Sequence, residues 1–168
     1  MNSFSEDVKH ARKGDTEAFA RLYSEVYKDL YHIALYSLRN AHDACDVVSD
    51  TVMDAFCSIK KLKDENAFRN WIMKILSAKI KRKQREYFNC PQEIDEAFSM
   101  FNEFDYVSFE VRETVDNLDS ESRLLLSMSV LGGYTSNEIS QICGLNENTV
   151  RSKLSRIKKQ LRITLKGE

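Results

Sequence analysis

Residues 134–161 read YTSNEISQICGLNENTVRSKLSRIKKQL, and the rest of the chain is best interpreted outward from them. Thr135 and Glu138 have the spacing of a capping box, which predicts the start of a short helix. Gly144 stands where a tight turn between two helices needs a left-handed backbone conformation. Asn146 can cap a second helix. The stretch therefore predicts two helices joined by a tight turn.

The second of these predicted helices has one apolar side and one polar, basic side. An α-helix fits the major groove of B-DNA, where Arg, Lys, Asn, Ser and Thr contact base edges and phosphates. A plain helical hairpin with a basic end is the alternative, but the caps, the turn glycine and the one-sided basic face occur together. We predict that the following side chains face duplex DNA: Asn148, Thr149, Arg151, Ser152, Lys153, Ser155, Arg156 and Lys159.

The composition of the 168 residues is typical of a packed globular protein, with 42% hydrophobic and 30% charged residues. One proline and five glycines leave few helix breakers, so the sequence predicts an all-α fold. No apolar run approaches the roughly 20 residues that a membrane span needs. Residues 1–10 lack the apolar core of a signal peptide, so we predict a cytoplasmic protein without membrane insertion.

The residues that usually carry chemistry form no recognisable arrangement. No CxxC pair and no histidine cluster occurs among them: Cys45, Cys57, Cys90, Cys143, His10, His32 and His42. This spacing favours neither a disulfide framework nor a metal site. A glycine-rich phosphate loop and a nucleophile–base pair are also missing from the sequence. We therefore expect no catalytic residue, no enzyme activity, no metal and no cofactor.

The net charge of −1 conceals a strong segregation of charge along the chain. Residues 60–85 are rich in Lys and Arg, and residues 151–166 hold cations but no acid. Between these two blocks, residues 86–121 hold many acids and a single cation, Arg112. The pattern indicates two contacts with polyanions, separated by a spacer that nucleic acid repels.

Residues 43–59, DACDVVSDTVMDAFCSI, predict a helix with two unlike faces. At about 100° per residue, its four carboxylates lie within about 80° of one another. Those residues are Asp43, Asp46, Asp50 and Asp54, and the apolar residues Val48, Val52, Ala55, Phe56 and Ile59 occupy the opposite face. A solvated face normally mixes both signs of charge, so this single-signed face favours a docking surface for a basic partner. An ordinary solvated face is the alternative.

The segments around this helix have their own signatures. Residues 15–34 carry apolar side chains at helical spacing, which predicts a core helix capped by Asp15. Residues 60–67, KKLKDENA, predict a loop in which Asn66 caps the next helix. That helix, residues 68–86, begins apolar and ends basic, as a phosphate-binding surface does. Residues 87–109, which include Pro91 and many acids, predict a tether.

Four stretches together resemble the bacterial extracytoplasmic-function (ECF) RNA polymerase sigma factors. GDTEAFARLYSEVYKDLY, DACDVVSDTVMDAF and FRNWIMKI are similar to segments of the family's region 2, and LGGYTSNEISQICGLNENTVRSKLSRIKKQL is similar to its region 4. The helix-turn-helix pattern alone is shared with the DNA-binding domains of response regulators. The region 2 segments make the combination specific.

The resemblance implies two small helical domains, with a region 2-like domain at residues 1–86 and a region 4-like domain at 111–168, joined by an acidic linker at 87–110. It implies that the family's acidic face docks on the clamp helices of the polymerase β′ subunit. Here that face falls on Asp46 and Asp50, flanked by Asp43 and Asp54.

The resemblance also implies two contacts with promoter DNA. The loop after the acidic helix would hold a flipped base of the −10 element, and the basic helix would follow the phosphates. The residues concerned are Leu62, Lys63, Asn66, Lys74, Lys79, Arg82 and Arg85. The helix from Asn148 would lie in the major groove at the −35 element, near the polymerase β flap. The resemblance allows one further partner, an anti-sigma factor.

Several positions depart from the pattern of the family. Ala78 and Arg82 stand where members often have Asn and Asp, and Leu62 replaces a common phenylalanine in the base-pocket loop. Asp119 stands where a proline often precedes the region 4 helices. These departures concern the −10 contacts and one helix start, rather than the general assignment.

Two other functions fit parts of the sequence. A free-standing helix-turn-helix regulator would bind DNA without core polymerase, but it has no need of the acidic face on residues 43–54. A small helical scaffold or enzyme is the other, but the sequence holds no catalytic or metal-binding arrangement, and sequence-specific DNA binding would exclude it. The sequence therefore predicts a sigma factor that binds core polymerase and promoter DNA.

Overall fold

The computed structural model describes residues 3–90 and 109–167, and over these ranges the protein is helical without a strand. Helices of the front half are α1 (Ser3–Arg12), α2 (Thr16–Leu38), α3 (Ala41–Ser58) and α4 (Phe68–Asn89). Two 3-10 helices, Ile59–Lys61 and Glu65–Ala67, lie between α3 and α4. The back half holds α5 (Phe109–Asp116), α6 (Ser120–Val130), α7 (Ser136–Cys143) and α8 (Glu147–Lys166).

Short polar side chains begin most of these helices. Asp15 accepts hydrogen bonds from the backbone N–H groups of Glu17 and Ala18, at 3.0 and 3.1 Å, so the predicted cap of α2 is confirmed. Asp119 accepts from the backbone of Ser122 at 2.9 Å. An aspartate in place of the family's proline therefore starts α6 by satisfying one of the free N–H groups at the helix end.

Helix α2 is the centre of the front half. Its predicted apolar stripe is buried, and Leu22, Leu30 and Ile33 have no exposed surface. Helices α1, α3 and α4 pack against it. Burial of a Leu or Ile side chain stabilises a fold by roughly 1.5–3 kcal/mol, so the stripe accounts for the position of α2.

The front and back halves also pack against each other. Helix α2 contacts α6, helix α4 contacts α7, and one hydrophobic cluster extends from Val8 in α1 to Leu154 in α8. Gln84 of α4 donates to the carbonyl of Ser37 at 3.2 Å and to that of Ser120 at 2.9 Å. A single buried amide therefore joins the ends of two helices from different halves.

A second polar contact between the halves involves two arginines. Arg39, which ends α2 with a positive φ of 57°, forms an ion pair with Asp116 of α5 at 3.2 Å. Arg123 of α6 donates to the carbonyl of Leu118 at 2.8 Å. Burial and the nearby Arg39 lower the pKa of Arg123. The buried Nε atoms of both arginines lack a hydrogen-bond partner in the described part of the chain.

Three expectations need correction. Asn66 does not cap α4, because Ala67 precedes that helix and makes no side-chain cap; Asp64 instead accepts from the backbone of Asn66 and starts the second 3-10 helix. Phe56 is not on a buried face, since 46% of it is exposed. Helix α4 continues through Tyr87 to Asn89, beyond the predicted end at Glu86.

Most of the predicted acidic linker, residues 91–108, lies outside the described residues. The boundaries 1–86, 87–110 and 111–168 stay predictions. Among the described helices, none combines the length and the apolar character that crossing a membrane requires.

Candidate polymerase and nucleic-acid interfaces

The acidic face of α3 divides into exposed and occupied carboxylates. Asp46 and Asp50 are exposed, and Asp50 makes no ion pair with any described residue. Asp46 lies 3.5 Å from the exposed imidazole of His42. These two carboxylates, one helical turn apart, are free to meet a cationic partner.

Asp43 instead faces inward, with 7% of its surface exposed. It accepts a short hydrogen bond from the Tyr87 hydroxyl, and Lys83 Nζ lies 3.3 Å from its other oxygen. Burial raises the pKa of Tyr87 strongly, and the hydrogen bond to Asp43 adds to the shift. This carboxylate therefore joins α3 to the last turns of α4.

Asp54, at the other end of the face, pairs with Lys79 of α4 at 2.7 Å. The Asp54 side chain remains 60% exposed, whereas only 15% of the Lys79 side chain is exposed. The pair stabilises the contact of α3 with α4 and occupies a lysine that the sequence predicts as a phosphate contact.

Two exposed apolar side chains of α3 extend the free part of this face; the sequence reasoning did not single out Met53 and placed Phe56 on the opposite face. Met53 is 63% exposed and Phe56 is 46% exposed. The Phe56 ring also contacts Phe19 edge-on at 5.2 Å. Met53 follows Asp50 by three positions, a spacing that places neighbours on one helical surface. This spacing from Asp50 could have placed Met53 on the acidic face from the sequence alone.

The loop between α3 and α4 presents polar side chains over a buried anchor. Lys63 and Asn66 are exposed, whereas Leu62 is 6% exposed and belongs to the core cluster. Leu62 therefore fixes the base of the loop, and the exposed side chains around it are left to make contacts.

The basic side of α4 is only partly free. Lys74, Arg82 and Arg85 are exposed. Lys81, which is half-buried, donates to the backbone carbonyl of Cys143 and thereby joins α4 to the end of α7. Lys79 is paired with Asp54. The cations of α4 that remain free are therefore the exposed ones, Lys74, Arg82 and Arg85.

The helix-turn-helix of the back half has the local geometry that its sequence predicts. Thr135 accepts from the backbone of Glu138 at 3.3 Å, and Glu138 accepts from that of Thr135 at 2.8 Å, which confirms the capping box. Gly144 ends α7 with a φ of 67°. Asn146 accepts from the backbone of Asn148 at 2.9 Å and caps α8.

Helix α8 has a buried side and a free side. Val150, Leu154 and Ile157 are buried. All but one of the predicted DNA-facing side chains are exposed: Asn148, Thr149, Arg151, Ser152, Ser155, Arg156 and Lys159. Lys153 is half-buried and pairs with Glu121 of α6. The exposed set carries three cations and four neutral hydrogen-bonding groups on one surface.

Arg151, in the first turns of α8, pairs with Glu147 at 2.5 Å, and 66% of its side chain remains exposed. Arginine binds guanine edges and phosphates in a bidentate manner. The ion pair is local and on the surface, so exchange of Glu147 for a DNA acceptor costs little.

One group of potential metal ligands occurs among the described residues. His42, Asp43 and Asp46 each place a ligand atom within 4.8 Å of the others. His42 and Asp46 are exposed on the surface, and Asp43 already binds Tyr87 and Lys83. The group is therefore part of the acidic face of α3, and its buried carboxylate, Asp43, already has protein partners.

Each half of the molecule matches a known protein family model. The family model for sigma-70 region 2 matches residues 22–96, and that for sigma-70 region 4 matches residues 108–161. The chain belongs to the sigma-70 family. It is accordingly an RNA polymerase sigma factor, which directs promoter recognition and transcription initiation and binds core polymerase and promoter DNA.

Individual relatives match along most of this sigma factor. The RNA polymerase sigma factor SigV of Bacillus subtilis is 28% identical over 84% of this chain and 87% of its own length. The ECF RNA polymerase sigma factor SigW of the same species is 23% identical over 95% of each.

Solved structures show the same fold. CnrH, in complex with the cytosolic domain of CnrY, superposes with a TM-score of 0.75 over 99% of both chains at 20% identity. The sigma factor RpoE of Bartonella quintana, in complex with the anti-sigma factor NepR, has a TM-score of 0.71 over 90% of this chain and 98% of its own, at 20% identity.

Proposed function

We propose that this sigma factor divides promoter recognition between its halves, with the front half docking on core polymerase and holding the melted −10 strand, and the back half holding the duplex −35 element. One observation carries the proposal. The same chain presents two exposed carboxylates on α3, Asp46 and Asp50, and a free basic face on the second helix of a helix-turn-helix. A regulator that binds DNA alone has no use for these two carboxylates.

Asp46 and Asp50 form the centre of the polymerase contact in this proposal, on the β′ clamp helices. Their exposure makes both available to a basic partner, and long-range attraction of this kind favours rapid association. Met53 and Phe56 lie beside them and add apolar area. Asp43 and Asp54 hold α3 against α4 and thereby fix the position of the docking face.

The loop at residues 62–67 takes the flipped base of the −10 element. Lys63 and Asn66 supply the polar contacts, and the buried Leu62 holds the loop in place. Extruding a base costs a few kcal/mol, and the cost is lower once the strand is already single. Lys74, Arg82 and Arg85 then contact successive phosphates, and Lys79 joins them if it exchanges Asp54 for a phosphate.

Helix α8 lies in the major groove of the −35 element, near the polymerase β flap. Arg151 and Asn148, in its first turns, are placed as helix-turn-helix proteins place their base contacts. Arg156 and Lys159, farther along, contact phosphates and set the position of the helix on the duplex.

The chain itself performs no covalent chemistry in this proposal, because the polymerase makes the RNA. The protein works in the cytoplasm, where its polymerase is. An anti-sigma factor is a suitable regulator, since the two solved relatives are complexes with CnrY and with the anti-sigma factor NepR. Such a regulator would cover the free faces of α3 and α8.

Core binding and run-off transcription test the proposal. The purified chain should bind bacterial core polymerase and start transcripts at its own promoters. A double change, Asp46→Lys with Asp50→Lys, should abolish core binding and leave the thermal unfolding temperature within a few degrees. The control is Glu6→Lys with Glu17→Lys, the same charge reversal at exposed positions of α1 and α2, and it should bind core normally.

Normal core affinity in the Asp46/Asp50 variant would refute the assignment of the docking face. Specific promoter binding by the chain without core, together with no initiation in its presence, would instead favour the free-standing regulator.

A further inference from the structure

A basic cleft lies between α1 and the loop that follows α3. It has a volume of about 370 Å³ and is lined by Lys9, Arg12, Lys13, Lys60 and Glu65. Lys9 and Arg12 belong to the last turn of α1 and Lys13 follows it, whereas Lys60 and Glu65 come from the two 3-10 helices that α1 contacts. Cations from two distant segments, residues 9–13 and Lys60, thus surround a single carboxylate.

The cations of the cleft are largely uncommitted. Lys9, Lys13 and Lys60 are exposed and make no ion pair within the described part of the chain. Arg12 lies 3.4 Å from Glu65, and about a third of each side chain is exposed. A basic last turn is ordinary at a helix C-terminus, where it offsets the roughly −0.5 charge of the dipole. Lys60 comes from another element, the 3-10 helix Ile59–Lys61, and adds a fourth cation to the cleft.

The position of the cleft beside the loop indicates which ligand it binds. Its loop side is formed by Lys60 and Glu65, which bracket the exposed Lys63. The free cations of α4, which begin at Lys74, follow the same loop in the sequence. A strand that places one base in the loop therefore has a neighbouring phosphate beside the cleft, because Lys60 and Glu65 border the loop residues 61–64.

We propose that this cleft is a second phosphate-binding subsite for the single-stranded promoter DNA, placed between α1 and the loop. The inference rests on the proposed function of the loop at residues 62–67. Lys9, Lys13 and Lys60 supply charge to the backbone, and Arg12 exchanges Glu65 for a phosphate, which a guanidinium binds in a bidentate manner. The contact reads no sequence and adds affinity for any strand.

The loss of phosphate contacts is measured by the salt dependence of binding. Each contact with a single strand contributes about 0.7 to the slope of log K against log salt. The test variant is Lys13→Gln with Lys60→Gln, one residue from each side of the cleft. The matched control is Lys28→Gln with Lys166→Gln, two exposed lysines outside the cleft, the loop at residues 62–67 and the basic side of α4. All four positions are exposed, and circular dichroism checks the fold.

The probes are fluorescent oligothymidylates of increasing length, bound to the full chain and to its complex with core polymerase. The Lys13/Lys60 variant should lose about 1.4 from the slope for the longest probe, which is two phosphate contacts. It should lose little for probes too short to pass the loop. The control variant should keep the slope of the unchanged protein. An equal slope in the test variant, or an equal loss in the control, would overturn the inference.

Two further measurements separate the possible explanations. Titration with pyrophosphate at constant ionic strength tests a small-anion site; tight pyrophosphate binding with no effect of the variant on the long probe would overturn the strand assignment. Run-off transcription with the unchanged chain tests the proposed function separately. Suppose that the unchanged chain and the Lys13/Lys60 variant both initiate normally and that the variant keeps the slope of log K against log salt. The sigma-factor proposal would then stand, and only the cleft would be ruled out as a DNA-binding subsite.

Discussion

Helices α4 and α8 both carry a basic face toward nucleic acid, but they are placed very differently. Helix α4 contacts α2, α3, α6 and α7, and Lys79, Lys81 and Lys83 bind groups within the protein. Helix α8 packs only one side against α5, α6 and α7, and Arg156 and Lys159 make no ion pair with described residues. The same residue types are therefore part of the scaffold in one helix and a free surface in the other.

The comparison shows why charge counts along a sequence overestimate a binding surface. Residues 79–85 are denser in cations than any part of α8, yet a cation that faces a neighbouring helix is used to hold that helix. Position within the fold decides between the two uses. Three pairs of measurements test this contrast, beginning with the largest expected effect, and a fourth pair tests a buried tyrosine beside the helix-turn-helix.

Truncation of a buried side chain should cost more in α4 than in α8. Leu76 is fully buried within the core cluster, whereas Ile157 is 5% exposed and lies outside that cluster. Leucine-to-alanine and isoleucine-to-alanine changes cost about 2–5 kcal/mol, depending on how well the site collapses. We expect Leu76→Ala near the upper end and Ile157→Ala near the lower, in urea unfolding. Equal costs would show that α8 is as central to the fold as α4.

Removal of an exposed arginine should affect different kinds of DNA in the two helices. Arg151→Ala should cost about 1–3 kcal/mol in discrimination between −35 sequences if the side chain reads a base. Arg82→Ala should instead weaken single-strand binding for all sequences and reduce the salt slope by about 0.7. Binding assays with duplex and single-stranded probes measure both. Unchanged −35 discrimination in Arg151→Ala would limit that residue to a phosphate contact.

Removal of a lysine should affect stability only in α4. Lys79→Gln breaks the pair with Asp54 and should cost up to about 1 kcal/mol, since the carboxylate is largely exposed. Lys159→Gln removes an exposed charge and should change the free energy of unfolding by less than about 0.5 kcal/mol. Chemical denaturation of both variants in the same buffer measures the difference. A larger loss from Lys159→Gln would contradict the division of roles.

Tyr134, which precedes the helix-turn-helix, should make the free energy of unfolding depend on pH in the alkaline range. It should have no such effect at neutral pH. Burial raises the pKa of Tyr134 to about 12. The unfolded chain therefore loses this proton first as the pH rises above the ordinary tyrosine value of about 10. The free energy of unfolding should then decrease between pH 10 and about 12, because the unfolded state binds fewer protons.

Tyr134→Phe should have a flatter dependence of stability on pH in this alkaline range than the unchanged protein. Tyr27→Phe, at a 40% exposed tyrosine of α2, is the matched control. Denaturant midpoints at a series of pH values measure both. An identical dependence in Tyr134→Phe would mean that the hydroxyl titrates alike in the folded and unfolded chains.

Much of the fold could be predicted because the signals are local. The cap at Asp15, the capping box at Thr135 and Glu138, and the left-handed Gly144 involve residues within four positions of one another. The core stripe of α2 follows from helical periodicity alone. Periodicity also gave the exposed side of α8 correctly except at Lys153, which pairs with a residue 32 positions away.

The sites were predicted less completely because they depend on neighbours from elsewhere in the chain. A helical wheel places Asp43 with Asp46, but Tyr87 and Lys83 come from α4 and draw Asp43 inward. The same wheel places Phe56 with the core, although no helix covers it fully. The sequence of the loop at 60–67 marks Leu62 as a candidate contact, whereas packing makes it an anchor.

By itself, the sequence determined the all-α class, most helix ends, the helix-turn-helix and the family, since these depend on short spacings and on motifs. Only the tertiary structure decided which charges are free. It buried Asp43, left Asp46 and Asp50 in solvent, committed Lys79 to Asp54, and brought Lys9 and Lys13 beside Lys60. The physical reason is that a charge is free or paired according to what packs against it, and packing joins residues that the sequence keeps far apart.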